Sequence, residues 1–213
     1  MLKLFDFAAS GNCYKVRLLL AQLGLPYERV PVDLFSGETL TPEYLALNPA
    51  GRTPVLVTEG GEPIAESNAI LLHLAEGTPF LPSTPLDRAR VWQWLFFEQN
   101  LLEPNLGTAR FWILTGRGAD EPQVMERCRR MAQSALAALE RGLAGRRFLV
   151  GESYSVADIS LFAYTHVAGD VLDLGGYPAV QEWLARVRET PGFVDDMEPY
   201  PANAGPSGVS VHG

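Results

Sequence analysis

The sequence predicts an α/β domain over residues 1–78, a linker over residues 79–86 and an all-helical domain over residues 87–198. Three observations carry that prediction. Strand and helix signals alternate along the first part of the chain. A stretch with Pro79, Pro82 and Pro85 follows, and proline at that density stops helices. Beyond it, apolar residues recur at helical spacing and no strand is apparent. The tail, residues 199–213, carries Pro199, Pro201, Gly205, Pro206, Gly208 and Gly213 and is expected to be irregular or mobile.

Each element has its own signal. Leu2 to Phe5 is a short apolar run, followed by Ala-Ala-Ser-Gly. Val16, Leu19, Leu20 and Leu23 then mark a helix that Gly24 stops. Tyr27 to Val32 reads as a second strand, which completes a βαβ unit with parallel strands. Asp33 to Arg52 is loop-like, with one short helix near Pro42 to Leu47. Val55 to Val57 and Pro63 to Ala65 flank Gly60-Gly61 and read as an antiparallel hairpin. Glu66 to Glu76 is helical, with Ile70, Leu71 and Leu74 on one face. In the second part, Val91, Trp94, Leu95, Leu101 and Leu102 fit one long helix. Val124 to Leu139, Val156 to Val167 and Val180 to Val187 give three more.

Composition narrows the function classes. The chain of 213 residues has a net charge of −8, where a nucleic-acid binder shows a basic face. No window approaches a membrane span, and Asp6 interrupts the apolar start. The two cysteines, Cys13 and Cys128, form no disulfide framework and suit a reducing compartment. The chain is therefore expected to be cytoplasmic. Cys128 falls on an apolar helical stripe and reads as core. His73, His166 and His212 lie on a helix, a helix and the tail, away from the Ser10 segment below, and read as structural or solvent-facing. No metal site is expected.

Three segments offer chemistry. Ser10-Gly11-Asn12-Cys13 lies where the first strand hands over to the first helix. Unpaired N–H groups and the dipole there favour a thiolate, and Ser10 can donate to it. The same Ser10 or Asn12 also suits a helix cap. Asn48 to Leu56 puts Pro54 at the start of a strand, where its missing N–H is tolerated. A cis Thr53–Pro54 bond would expose the Thr53 backbone to a peptide ligand, although trans is the commoner isomer on spacing alone. Glu66-Ser67-Asn68 opens a helix and suits a zwitterionic amino-acid end, or simply a cap.

Together, and in this order, the motifs Ser-x-x-x-x-Lys-Val-Arg (Ser10 to Arg17), Asn-Pro-x-Gly-Arg-x-Pro-Val-Leu (Asn48 to Leu56), Glu-Ser-x-Ala-Ile (Glu66 to Ile70) and Ser155-Val-Ala-Asp158-Ile159 resemble the cytosolic glutathione S-transferase superfamily, in particular its bacterial serine-type members. The resemblance implies a thioredoxin-like glutathione-binding domain, a helical domain contributing the electrophile site, and a homodimer. It implies glutathione as co-substrate and a detoxifying transferase that conjugates its thiolate to small hydrophobic electrophiles. Ser10 matches the activating serine, with Asn12 the next position that some relatives use. Thr53 precedes the proline that is cis in the family, so Thr53 and Pro54 should flank the cysteinyl unit. Glu66 and Ser67 match the binders of the γ-glutamyl end, and Ser155 with Asp158 the family's capping box. Arg52 is the cation nearest the loop expected to hold the glycine carboxylate, with Ser36, Thr39 and Thr41 as helpers.

The chain departs from the family in two places. It has no tyrosine before Tyr14. Cys13 sits at the second position of a Cys-x-x-Cys pattern whose first position is Ser10, so a dithiol cycle lacks its nucleophile. A mixed disulfide of Cys13 with glutathione stays open. The electrophile site is expected between the domains, with Phe7, Tyr14, Trp94, Glu98, Arg110, Phe111 and Trp112 as lining residues. A glutathione-dependent isomerase or lyase, and a non-catalytic glutathione-binding regulatory protein of the same fold, are the alternatives.

Overall fold

The computed structural model describes residues 1–206. They form two compact units: Met1–Leu74 together with the chain from Val194 onward, and Ala75–Phe193.

In the first unit, strand β1 (Leu2–Asp6) leads into helix α1 (Gly11–Leu23), and strand β2 (Tyr27–Pro31) follows. Helix α2 (Pro42–Leu47), strands β3 (Val55–Val57) and β4 (Pro63–Ala65) and helix α3 (Ser67–Ala75) come next. The sheet order is β2-β1-β3-β4. β1 and β2 are parallel, with Leu4 opposite Arg29. β1 and β3 are antiparallel, with Leu4 opposite Leu56, and so are β3 and β4. A right-handed crossover through α1 is the ordinary way to join parallel neighbours. Alternation along β1 sends Leu4 into a cluster with Val16, Leu20, Leu56 and Ile70. Gly24 ends α1 with a left-handed φ of 64°, which a residue with a Cβ adopts only under strain.

The Thr53–Pro54 bond is cis. The resemblance implied this; the spacing argument for trans is corrected.

The second unit is helical. Helix α4 (Pro85–Phe97) runs into a π-helical segment (Glu98–Gly107) and then helix α5 (Thr108–Thr115). The expected single helix over Val91 to Leu102 is thus corrected in two ways. Its second half is π-wound, and a further helix carries Arg110, Phe111 and Trp112. The i→i+5 winding shifts the apolar stripe by a residue per turn, and Pro104, which has no N–H to donate, lies inside it. Helices α6 (Pro122–Leu143), α7 (Val156–Thr165) and α8 (Pro178–Arg188) complete the unit. Cys128 is buried with Ala109 and Met125.

The stretch expected as a linker is packed into this unit. Leu81 is buried, and the Phe80 carbonyl accepts from the Val156 N–H at 2.9 Å. Ser155 and Asp158 form the capping box that opens α7. Asp158 is fully buried and also accepts from the Leu149 N–H at 3.0 Å and the Trp183 indole at 2.9 Å.

After Arg188 the described chain is irregular apart from a 3-10 turn at Ala202–Ala204, and it makes these contacts within the first unit. The Tyr14 hydroxyl donates to the Val194 carbonyl at 2.7 Å. Asp196 accepts from Arg17 at 2.9 Å. The Glu198 N–H donates to the Ala8 carbonyl at 3.2 Å, Tyr200 packs on Phe7, and Asn203 donates to Asp33 at 2.9 Å. Gly208, His212 and Gly213 lie outside the described residues.

Candidate glutathione site at the helix starts of the first unit

The site is assembled by two helix starts and the cis-proline loop. At the first helix start, Ser10 has extended backbone and its Oγ accepts from the Cys13 N–H at 3.3 Å. Ser10 is therefore the cap of α1, and it remains half-exposed at the end of β1. The cap uses the Ser10 oxygen as an acceptor, and the hydroxyl also hydrogen-bonds the Cys13 thiol.

Asn12 reaches across to the second helix start. Its Oδ1 accepts from the Ser67 hydroxyl at 3.1 Å and from Lys15 Nζ at 2.8 Å. Ser67 is buried at the first position of α3, and Lys15 also donates to its Oγ at 3.3 Å. Glu66, just before α3, is exposed and has a φ of 67°. It is the one non-glycine residue with a left-handed backbone among the described residues. Strain of that kind costs of order 1–3 kcal/mol and collects where a chain holds a ligand.

The third component is the loop before β3. Pro54 is buried and Thr53 half-buried. The Arg52 carbonyl accepts from the Tyr44 hydroxyl at 3.0 Å and from Asn48 Nδ2 at 2.8 Å, so the loop is held from behind while the Arg52 side chain is exposed. The Thr53 side chain hydrogen-bonds the Cys13 thiol, which ties this loop to α1.

Cys13 itself is corrected. It is fully buried rather than open to a ligand. Burial, and then the charge of Asp6, push its thiol up to about 12, against the lowering effect of hydrogen bonds from Thr53, the Phe7 N–H and Ser10. A buried thiol held protonated in this way is a weak nucleophile, which argues against the glutathione contact expected of Cys13. It faces inward because the third residue of α1 points into the domain.

The structure therefore brings Ser10, Asn12, Thr53, Pro54 and Ser67 into one connected set, with Glu66 and Arg52 beside it in the chain. The hydroxyl helpers are otherwise engaged. Thr39 is fully buried, Thr41 caps α2, and Ser36 donates to the Asp33 carbonyl at 3.2 Å.

Among the expected electrophile contacts, Tyr14 is corrected to a fully buried residue whose hydroxyl is taken by Val194. Glu98 is corrected too. It is fully buried and accepts from Gln99 at 2.8 Å and Ser160 at 3.3 Å. Its place opposite α7 makes it an interior group. Phe7 is nearly buried against Phe35. Arg110 pairs with Asp170 at 2.7 Å, Phe111 is nearly buried and Trp112 half-buried. Trp94 packs on Phe97 and over Gly142.

Residue-by-residue reading missed Lys15 and Arg17 as site-forming groups. Both are fully buried, and Arg17 joins Asp6 at 2.6 Å to Asp196. The available signal was two cations inside an otherwise apolar stretch of α1.

This fold, with two helix starts flanking a cis-proline loop, defines a thioredoxin-like domain joined to a helical one. Comparison with known proteins agrees. The family description of the glutathione S-transferase N-terminal domain matches residues 9–76, and that of the C-terminal domain matches residues 122–186. The chain belongs to the glutathione S-transferase family. It is 35% identical to disulfide-bond oxidoreductase YfcG of Escherichia coli, covering 87% of this chain and 89% of that protein. It is 32% identical to a maleylacetoacetate isomerase of Pseudomonas aeruginosa, over 95% of this chain and 97% of that one. A solved glutathione S-transferase from Pseudomonas fluorescens superposes with a TM-score of 0.90 at 45% identity, covering 92% and 99% of the two chains. A glutathione transferase of Phanerochaete chrysosporium, solved with oxidized glutathione, superposes at 0.82 with 30% identity over 90% and 92%.

Proposed function

We propose that the protein conjugates the thiolate of glutathione to small hydrophobic electrophiles in the cytoplasm. The observation that carries this reading is the half-exposed Ser10 capping the start of α1, with Asn12 two residues on bonded to Ser67 at the start of α3. Ser10 and the α1 N-terminus stabilise the thiolate, with the Asn12 N–H2 as a second donor to the sulfur. Thr53 and Pro54 flank the cysteinyl unit, Glu66 and Ser67 take the γ-glutamyl end, and Arg52 takes the glycine carboxylate. Phe7, Arg110, Phe111 and Trp112 are proposed to meet the electrophile.

The energetics suffice without a general base. A free thiol titrates near 8.5, and lowering it by about two units requires about 2.7 kcal/mol. One charge-assisted hydrogen bond supplies about 1.5–3 kcal/mol, and a helix N-terminus adds about 0.3–1 kcal/mol. The thiol proton leaves to solvent and the sulfur bonds the electrophilic carbon; in a substitution the leaving group departs to solvent with its bonding pair, and in an addition the broken π bond's pair takes up a solvent proton.

Conjugation of a generic electrophile by wild type and Ser10→Ala tests the reading. Activity at neutral pH should fall by about ten- to a hundredfold. Unchanged ionisation of bound glutathione in the variant would remove Ser10 from the mechanism.

The isomerase relative favours a second reading, in which glutathione is a true cofactor. Glutathione consumed per turnover separates the two. The oxidoreductase relative favours exchange through glutathione's own sulfur, since Cys13 is buried. A homodimer is proposed as well. Exposed Trp92 and Phe96, four residues apart on α4, support an apolar contact face. Light scattering reporting a monomer would refute it.

A further inference from the structure

Lys15 is a buried charge that the proposed chemistry leaves unused. It lies in the second turn of α1 with no accessible surface. Lysine is almost never fully buried unless its charge is met, because the ammonium gives up its hydration. A lysine serving only as packing would keep its head in water. Here the head is turned inward, onto two side chains of the candidate site.

The contacts close a triangle. Nζ donates to Asn12 Oδ1 at 2.8 Å and to Ser67 Oγ at 3.3 Å, and Ser67 Oγ donates to Asn12 Oδ1 at 3.1 Å. An ammonium has donors and no acceptor. Asn12 must therefore present its amide oxygen to Lys15, and the same oxygen takes the Ser67 hydroxyl. The Asn12 N–H2 group is turned to the opposite side of the amide carbon. With the oxygen held by two donors, an amide flip would set N–H groups against Lys15 and break both bonds.

We infer that Lys15 is a positioning residue: it locks the Asn12 amide with its N–H2 toward the glutathione sulfur and holds Ser67 at the γ-glutamyl end. One buried cation thereby sets the two ligand ends against each other. This inference rests on the glutathione reading above. Its chemistry is orientation by a one-sided donor, so a neutral side chain of equal length removes it. Methionine fills the same volume and offers no N–H.

The test compares the full chain with Lys15→Met, Asn12→Ala and the double variant. Glutathione binding is read by calorimetry, and the bound thiolate by its ultraviolet absorbance. Lys15→Met should weaken binding by about tenfold or more, as expected for lost charge-assisted hydrogen bonds. The double variant should carry no more bound-thiolate loss than Asn12→Ala alone, since Lys15 acts through Asn12. Additive losses, or a lower melting temperature with unchanged binding and thiolate, would overturn the inference.

Asn12→Asp keeps the test decisive if Lys15→Met does not fold. It gives the ammonium a carboxylate partner but replaces the N–H2 with an acceptor. It should retain the fold and lose the bound thiolate, and retention of the thiolate would overturn the inference. A wild-type chain that bound no glutathione would remove the functional reading and this inference together. A wild-type chain that binds it, beside a Lys15→Met variant that binds equally well, removes the inference alone.

Discussion

The two units use their buried polar groups differently. In the helical unit these groups largely serve the helices. Thr115 and Thr165 hydroxyls donate to carbonyls four residues back, at 2.6 and 2.7 Å. Asp158 closes a cap and collects the Trp183 indole. In the first unit the buried charges join separate segments. Arg17 ties β1 through Asp6 to the returning tail through Asp196, and Lys15 ties the start of α1 to that of α3. A buried charge is costly unless fully met. The costly residues of the first unit lie beside the loops that make the site, so they set geometry more than they add stability.

That comparison predicts that changes in the helical unit cost stability and spare glutathione binding. Asp158→Ala is the largest case. It strands the Leu149 N–H and the Trp183 indole in the core, and the expected cost is about 3–5 kcal/mol in urea unfolding. Glutathione affinity of the folded fraction should hold. A loss of affinity without a loss of stability would break the comparison.

Gly142→Ala comes next. A Cβ there would lie 2.5 Å from the Trp94 ring. Overpacking of this kind costs about 1–3 kcal/mol, visible as a lower Tm with unchanged glutathione binding.

Asp196→Ala probes the other side. Asp196 is partly exposed and Arg17 keeps Asp6, so the expected loss is only about 1 kcal/mol. Hydrogen exchange should nonetheless rise across residues 194–206 and across the Phe7 to Ser10 loop that the tail contacts. No change in exchange would mean that the tail is held by its other contacts.

At neutral pH the smallest effect is that of Cys13, whose contribution changes only in alkali. Cys13 titrates at 9.0 ordinarily and at about 12 when folded. Its folded value is raised, so its contribution to stability is complete below pH 9 and is lost as pH climbs toward 12. Stability measured across that window should fall less steeply in Cys13→Ala than in wild type. Parallel slopes would show that the thiol is not so placed.

Much of this molecule is legible one segment at a time. The βαβ unit, the hairpin and α3 follow from short-range periodicity and from Gly24 and Gly60-Gly61. The Ser155–Asp158 box is a local hydrogen-bond pattern, and so is the Ser10 cap. Other features escaped that kind of reading. The cis state of Pro54 is not carried by the spacing of the loop. The winding of residues 98–107 slides the apolar stripe away from the period used to read it. Tyr14 and Glu98 carry polar groups that suggest a surface, yet both lie inside, with their partners 180 residues away in the first case and 62 in the second.

By itself the sequence determined the two-part architecture and the order of the elements in the first unit. These are local decisions: hydrophobic period, capping and turn chemistry act within a few residues. Only the tertiary structure decided that Cys13 is a core thiol, that Lys15 and Arg17 are buried at the site and that the tail returns to the first unit. Those outcomes depend on which distant groups desolvate a side chain and which supply its hydrogen bonds. Burial and pairing are properties of the packed chain, and no spacing along α1 carries them.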